Sequence, residues 1–113
     1  MRLSLINETI EKIASRRLAE EYDNVGLLLG CPDNNIDCIA CSLEADTQTI
    51  QAAKKKGAQL LVTHHPFIFR PIKQIDFTSP VGSIIREAMD AGIAIYAAHT
   101  NFDLHPEGMA KVW

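Results

Sequence analysis

The sequence predicts an α/β fold, a single lobe with a mixed, largely parallel sheet flanked by helices. Short apolar runs rich in Ile, Leu and Val alternate with amphipathic segments of about ten residues, the signature of strand–helix–strand units. Glycine, proline and Asn/Asp clusters punctuate those segments. The chain has 113 residues, 47% of them apolar and spread along its whole length, which fits one buried core and argues against disorder.

The first helix is expected from Leu3 to Ala14, with Leu3, Leu5, Ile6, Ile10, Ile13 and Ala14 close to helical spacing. Ser4 is its expected N-cap. A short helical piece follows through Leu18, Ala19 and Glu20. Asp23-Asn24-Val25-Gly26 reads as a turn, Leu27-Leu28-Leu29 as a strand ending at Gly30, and Cys31-Pro32-Asp33-Asn34-Asn35 as a loop. Ile36 to Leu43 reads as a buried strand. Asp46 or Thr47 caps a helix running to Lys56, with Ile50, Ala53 and Ala52 facing inward and Gly57 just past its end. Ala58 to Thr63 is a further strand, stopped by His64-His65-Pro66, and Phe67-Ile68-Phe69 is an apolar loop. Ser79-Pro80 is an N-cap followed by proline at the first helical position. The helix it opens is expected to bury Val81, Ile84, Ile85, Ala88 and Met89 and to stop at Gly92, with a strand from Ile93 to Ala98 after it. Residues 106–113 read as the start of a helix with nothing beyond it. On that ground residues 1–113 are expected to be one domain cut at its C-terminal side.

Charge and cysteine usage narrow the function classes. Eleven Lys+Arg against 14 Asp+Glu leave a net charge of −3, which gives no direct signal for nucleic acid or an anionic membrane surface. No apolar stretch approaches the ~20 residues of a membrane span, and the N-terminus has no long apolar region resembling a secretory leader. Cys31, Cys38 and Cys41 are an odd count that reads as reduced thiols in a cytoplasmic protein. Cys38 and Cys41 spell C-x-x-C inside an apolar strand without a second pair, so buried inert thiols are expected.

The candidate chemistry lies at two strand ends, where open α/β sheets gather functional groups. One end delivers His64 and His65; the other delivers His99, with Asp103 four residues on. Imidazole and carboxylate together suit Zn²⁺, Fe²⁺ or Mn²⁺. Neighbouring residues on a strand point to opposite faces, so the two adjacent histidines share a site only if the strand ends before them, as Pro66 encourages. A lone histidine is more often a satisfied structural residue, whereas three with an aspartate at two strand ends favour a metal site. His105 reads as a surface-loop residue. Asp46 is better explained as a helix cap than as part of a cleft with Glu44, and Lys54-Lys55-Lys56 as a solvated helix end. Phe67, Phe69 and Phe102 flank the histidines, either excluding water from a site or forming core. There is no glycine-rich phosphate loop and no Gly-x-Ser-x-Gly elbow.

Three ordered motifs carry a family resemblance: Asp23-Asn24-Val25-Gly26-Leu27, Val62-Thr63-His64-His65-Pro66 and Tyr96-Ala97-Ala98-His99-Thr100-Asn101-Phe102-Asp103. With them the chain resembles the Ngg-interacting-factor-three-like proteins, also labelled dinuclear metal-centre proteins or GTP cyclohydrolase 1 type 2 homologues. The resemblance implies the N-terminal part of a two-lobed fold, two divalent metals held between the lobes, and ring-like homo-oligomers. It implies that His64, His65 and Asp103 are metal ligands, with His99 beside them as ligand or support. It further implies a hydrolase acting on a small molecule, a purine nucleotide by the family's name. Two departures stand out: Ser42-Leu43-Glu44 replaces a Ser-Leu-Asp-type sequence, and a C-terminal segment supplying a further His and Glu is absent.

Those implications set the expectations. The leading one is a metal-dependent hydrolase in which the metal activates water, with assistance from Glu44. Four side chains for two ions fall short of the usual donor number, so partial occupancy is expected, with an apolar surface left exposed and self-association as its result. The rivals are a non-catalytic metal-binding or protein-interaction scaffold, and a structural lobe whose histidines make only hydrogen bonds.

Overall fold

In the computed structural model, residues 1–13 and 24–98 are described. They form α1 (Leu3–Ile13), β1 (Gly26–Leu29), β2 (Ile39–Ser42), α2 (Thr47–Lys55), β3 (Leu60–Thr63), α3 (Pro80–Ala91) and β4 (Ala94–Ala97), the element order that the periodicity predicts. The helical piece expected at Leu18–Glu20 and the helix-like residues 106–113 lie outside the described residues.

The four strands make one mixed sheet in the order β1-β4-β3-β2. β2, β3 and β4 run parallel, and β1 joins β4 antiparallel at one edge. The chain steps from β2 to β3 to β4 in one direction, so right-handed crossovers put α2 and α3 on the same face of the sheet. Leu61 and Ile95 point to that face and pack with Ile50, Ala53 and Ala88 from the two helices. On the other face Leu60, Ala94 and Tyr96 pack with Leu3 and Ile6 of α1. Adjacent residues of β3 and β4 thus feed two cores, so every position of these central strands except Thr63 is apolar or aromatic.

Helix ends follow their local chemistry. The Asp46 side chain accepts from the Thr49 N–H at 2.7 Å, and that of Ser79 accepts from the Gly82 N–H at 3.0 Å. Gly92 closes α3 in the left-handed region at φ 67°, where a glycine meets no Cβ penalty. Ser4, by contrast, is not the cap of α1. The helix starts at Leu3, the Ile6 N–H bonds back to the Arg2 carbonyl, and the Leu3 and Ser4 N–H groups are taken by the Asn34 and Pro32 carbonyls. Main-chain acceptors from the 32–34 loop thus replace the expected side-chain cap.

Burial corrects several sequence expectations. The strand expected over Ile36–Leu43 is confined to Ile39–Ser42 and lies at the sheet edge; Ile39, Cys41 and Leu43 are exposed. Cys38 is half-buried and Cys41 exposed, so the expectation of two buried thiols does not hold. In α3 only Gly82, Ile85 and Ala88 are fully buried; Val81 and Ile84 are half-buried and Met89 is solvent-exposed. Ala52 faces water while Ile50 and Ala53 form the inner face of α2.

Candidate metal centre

Because β2, β3 and β4 are parallel and in register at Ser42, Thr63 and Ala97, the residues after them emerge along one edge of the sheet. Strand β3 stops at Thr63, so His64 and His65 both lie past it and escape strand alternation. The turn is held by three hydrogen bonds. The His64 N–H reaches the Ser42 carbonyl at 3.2 Å, and the His65 N–H the Leu43 carbonyl at 2.9 Å. The buried Thr63 hydroxyl donates to the His65 carbonyl at 2.9 Å.

The two imidazoles consequently stand side by side, ring centroids 5.1 Å apart and planes tilted by 47°. His64 Nδ1 lies 3.1 Å from the Ala98 carbonyl oxygen. His65 Nδ1 lies 3.2 Å from Glu44 Oε1. A carbonyl or carboxylate oxygen only accepts, so each Nδ1 carries the hydrogen, and in the neutral ring Nε2 holds the lone pair. Two imidazoles prepared in this way suit a borderline divalent cation. The Glu44–His65 pair is solvent-exposed, at 63% and 41% of the side-chain surface, so it adds only about 0–1 kcal/mol to folding.

The other two sequence candidates, His99 and Asp103, lie outside the described residues, as do His105 and Phe102. Ala98, whose carbonyl meets His64, immediately precedes His99 in the chain. Among the described residues there is no group of three or more His, Cys, Asp or Glu arranged to hold a metal ion. Phe67 is half-buried against the α2–α3 core, and Phe69 is exposed.

The sequence profile of Duf34/NIF3 (NGG1p interacting factor 3) matches residues 1–113. The chain belongs to the Duf34/NIF3 family. A GTP cyclohydrolase 1 type 2 homolog of Clostridium perfringens is 40% identical over 103 residues, which are 91% of this chain and 39% of the relative. One from Listeria monocytogenes is 34% identical over 91% of this chain and 28% of its own. Among solved structures, reduced HcgD from Methanocaldococcus jannaschii matches with a TM-score of 0.89 at 33% identity, covering 98% of this chain and 44% of that one. A Bacillus cereus protein related to NIF3 also gives 0.89, at 32% identity over 96% of this chain and 30% of that one. The chain therefore spans less than half the length of each of these relatives.

In this Duf34/NIF3 chain the structure assigns work to two residues that sequence reasoning left vague. Asn24, read as part of a turn, donates its side-chain amide to the Ile68 carbonyl at 2.8 Å and ties the loop after the histidines to the entry of β1. Glu44, read as a cleft residue, meets His65 directly. Both partners are distant in sequence, and only the strand order brings them together.

Proposed function

We propose that this chain supplies part of the metal site of a divalent-metal-dependent hydrolase. In this reading His64, His65 and Asp103 hold the metal, with His99 as a further ligand or support, and two ions of Zn, Fe or Mn occupy a complete site. The supporting observation is the pair of adjacent imidazoles at the end of β3, each with Nδ1 held by an oxygen acceptor. When bound, a divalent cation supplies Lewis acidity toward water and toward a polarised substrate oxygen. The chain's own residues orient the donors: the Ala98 carbonyl holds the His64 ring, Glu44 holds that of His65, and Thr63 fixes the turn between strand and site.

The name carried by the bacterial relatives makes a purine nucleotide, GTP first, the substrate class to try. With four side chains, His64, His65, His99 and Asp103, for two ions, fewer than two tightly held equivalents are expected per chain. The test is metal titration, together with a nucleotide and phosphoester screen in Mn²⁺, Zn²⁺ or Fe²⁺, on wild type and on His64→Ala and His65→Ala. Each substitution should leave the fold intact and abolish tight binding and turnover. Folded variants with full metal uptake and activity would remove the proposal.

The same pair of imidazoles at the end of β3 also fits a second reading, a non-catalytic metal-binding or protein-interaction scaffold. That reading expects metal uptake with no turnover in the whole screen. Self-association goes with either reading, because Leu43, Phe69, Ile75 and Phe77 are exposed; a monodisperse monomer in light scattering would count against it. A cytoplasmic setting is supported by free cysteines at 31, 38 and 41. No helix among the described residues is long and apolar enough to cross a membrane.

A further inference from the structure

We infer that Glu44 is a positioning residue: through its contact with His65 Nδ1 it selects the imidazole tautomer and ring orientation that present Nε2 to a divalent cation. The inference rests on the metal-site reading above and extends it to a residue outside the ligand set.

The geometry around the contact is prepared from both sides. On the β2 side, the Ser42 hydroxyl donates to the Glu44 carbonyl at 2.6 Å and folds the chain back directly after the strand. On the β3 side, the Thr63 hydroxyl holds the His65 carbonyl at 2.9 Å. The His65 N–H donates to the Leu43 carbonyl at 2.9 Å and joins the two segments one residue before Glu44. Glu44 and His65 are therefore carried on backbones bonded to each other, which fixes the distance that their side chains must span.

The two histidines are also treated differently. His64 is oriented by a neutral main-chain carbonyl, His65 by a carboxylate. A carboxylate behind an imidazole N–H makes the far nitrogen the stronger donor, and losing such a partner typically weakens metal binding about 10–100-fold. His65 is thus the better donor of the pair, and Glu44 is the reason. Because this exposed contact adds little to folding, removing it tests the site without unfolding the protein.

The experiment uses ¹⁵N-labelled chain without metal. Long-range ¹H–¹⁵N spectra report the tautomer of each histidine in wild type, Glu44→Ala and Glu44→Gln. Co²⁺ alone is then titrated into each and followed by its visible absorption. Wild-type His65 should carry its proton on Nδ1. Glu44→Ala should shift His65 toward the Nε2–H form, leave His64 unchanged as an internal control, and weaken Co²⁺ binding about tenfold. In Glu44→Gln the amide oxygen still accepts from Nδ1–H, so the tautomer and most of the affinity should return. If His65 keeps its tautomer in Glu44→Ala, or if wild type and Glu44→Ala bind Co²⁺ within twofold of each other, the positioning role is overturned while the metal site stands. A wild-type chain that binds no Co²⁺ overturns the metal site itself, and with it the purpose assigned to Glu44.

Discussion

Replacing Gly30 by alanine tests the packing that holds β1 beside β4, and with it the segment carrying Asn24 just before β1. Gly30 sits just past β1 at φ +139°, a conformation that L side chains rarely adopt. A Cβ built there would lie 2.6 Å from Ala94 Cβ and 3.3 Å from Ala94 Cα, whereas carbon atoms pack best at about 3.5–4.0 Å. The backbone strain costs about 1–3 kcal/mol and the overpacking a similar amount. Lower entropy of the unfolded chain returns only about 0.4–1 kcal/mol. The net loss is about 2–4 kcal/mol, a large share of the roughly 5–15 kcal/mol that holds a domain folded. Urea unfolding followed by circular dichroism should show a midpoint lower by about 0.7 M or more, at a typical slope of about 1–3 kcal/mol per M. Adding Ala94→Gly removes the closer contact but leaves the strained φ. The double variant should therefore recover part of the loss, with a coupling of about 1 kcal/mol or more. An unchanged midpoint in Gly30→Ala, or strict additivity in the cycle, would refute the reasoning.

Other expectations follow from the capping groups and the loop tether. The Thr49 backbone N–H, and then its side chain, hold the Asp46 carboxyl below its ordinary 3.8; the backbone N–H and hydroxyl of Thr78 do the same for Asp76. A lowered folded-state value means that the contribution is present above pH 3.8 and lost as the pH falls through that lower value. Urea midpoints should therefore hold steady from pH 7 to 5 and drop in acid, and Asp46→Asn with Asp76→Asn should flatten that drop; parallel curves would deny these hydrogen bonds any role. Ser79→Ala removes the acceptor for the Gly82 N–H and should lower stability by about 1 kcal/mol in the same assay. Asn24→Ala releases the Ile68 carbonyl, so amide exchange should quicken in residues 67–69 with little change at Leu61, in the buried core.

Local chemistry was legible from the sequence, and long-range geometry was not. Asp46, the Ser79-Pro80 pair and Gly92 act on backbone groups within a few residues, so their roles could be read directly. Strand and helix order was equally legible, because apolar periodicity reports which segments bury a face. Edge position is a property of the whole sheet, which is why Ile39, Cys41 and Leu43 looked buried and are exposed. Ser4 misled for a similar reason: the acceptors for the first turn of α1 come from residues 32–34, across the fold. At the site, the double histidine and its strand end were plain in the sequence. The Ala98 and Glu44 acceptors depend on β3 lying between β2 and β4, which no local pattern encodes.

That dependence ties the site to the core through strand register. β2 pairs with β3 as Ile39↔Leu60, Ala40↔Leu61, Cys41↔Val62 and Ser42↔Thr63. A slip of one residue would turn Ala40 out of the α2–α3 core and move Glu44 by about 3.3 Å along the strand, away from His65. The register is clamped at both ends. At the entry, Gln59 Oε1 accepts from the Asp37 and Cys38 N–H groups at 2.8 and 2.9 Å, and the Gln59 N–H donates to the Cys38 carbonyl at 3.0 Å. At the exit, the His64 and His65 N–H groups hold the Ser42 and Leu43 carbonyls. The exit bonds come from the candidate ligands themselves, so the backbone that aligns the sheet also aims the imidazoles. Aligning β2 on β3 and setting Glu44 behind His65 are one structural event, which is why the pair needs no energy of its own to be well placed.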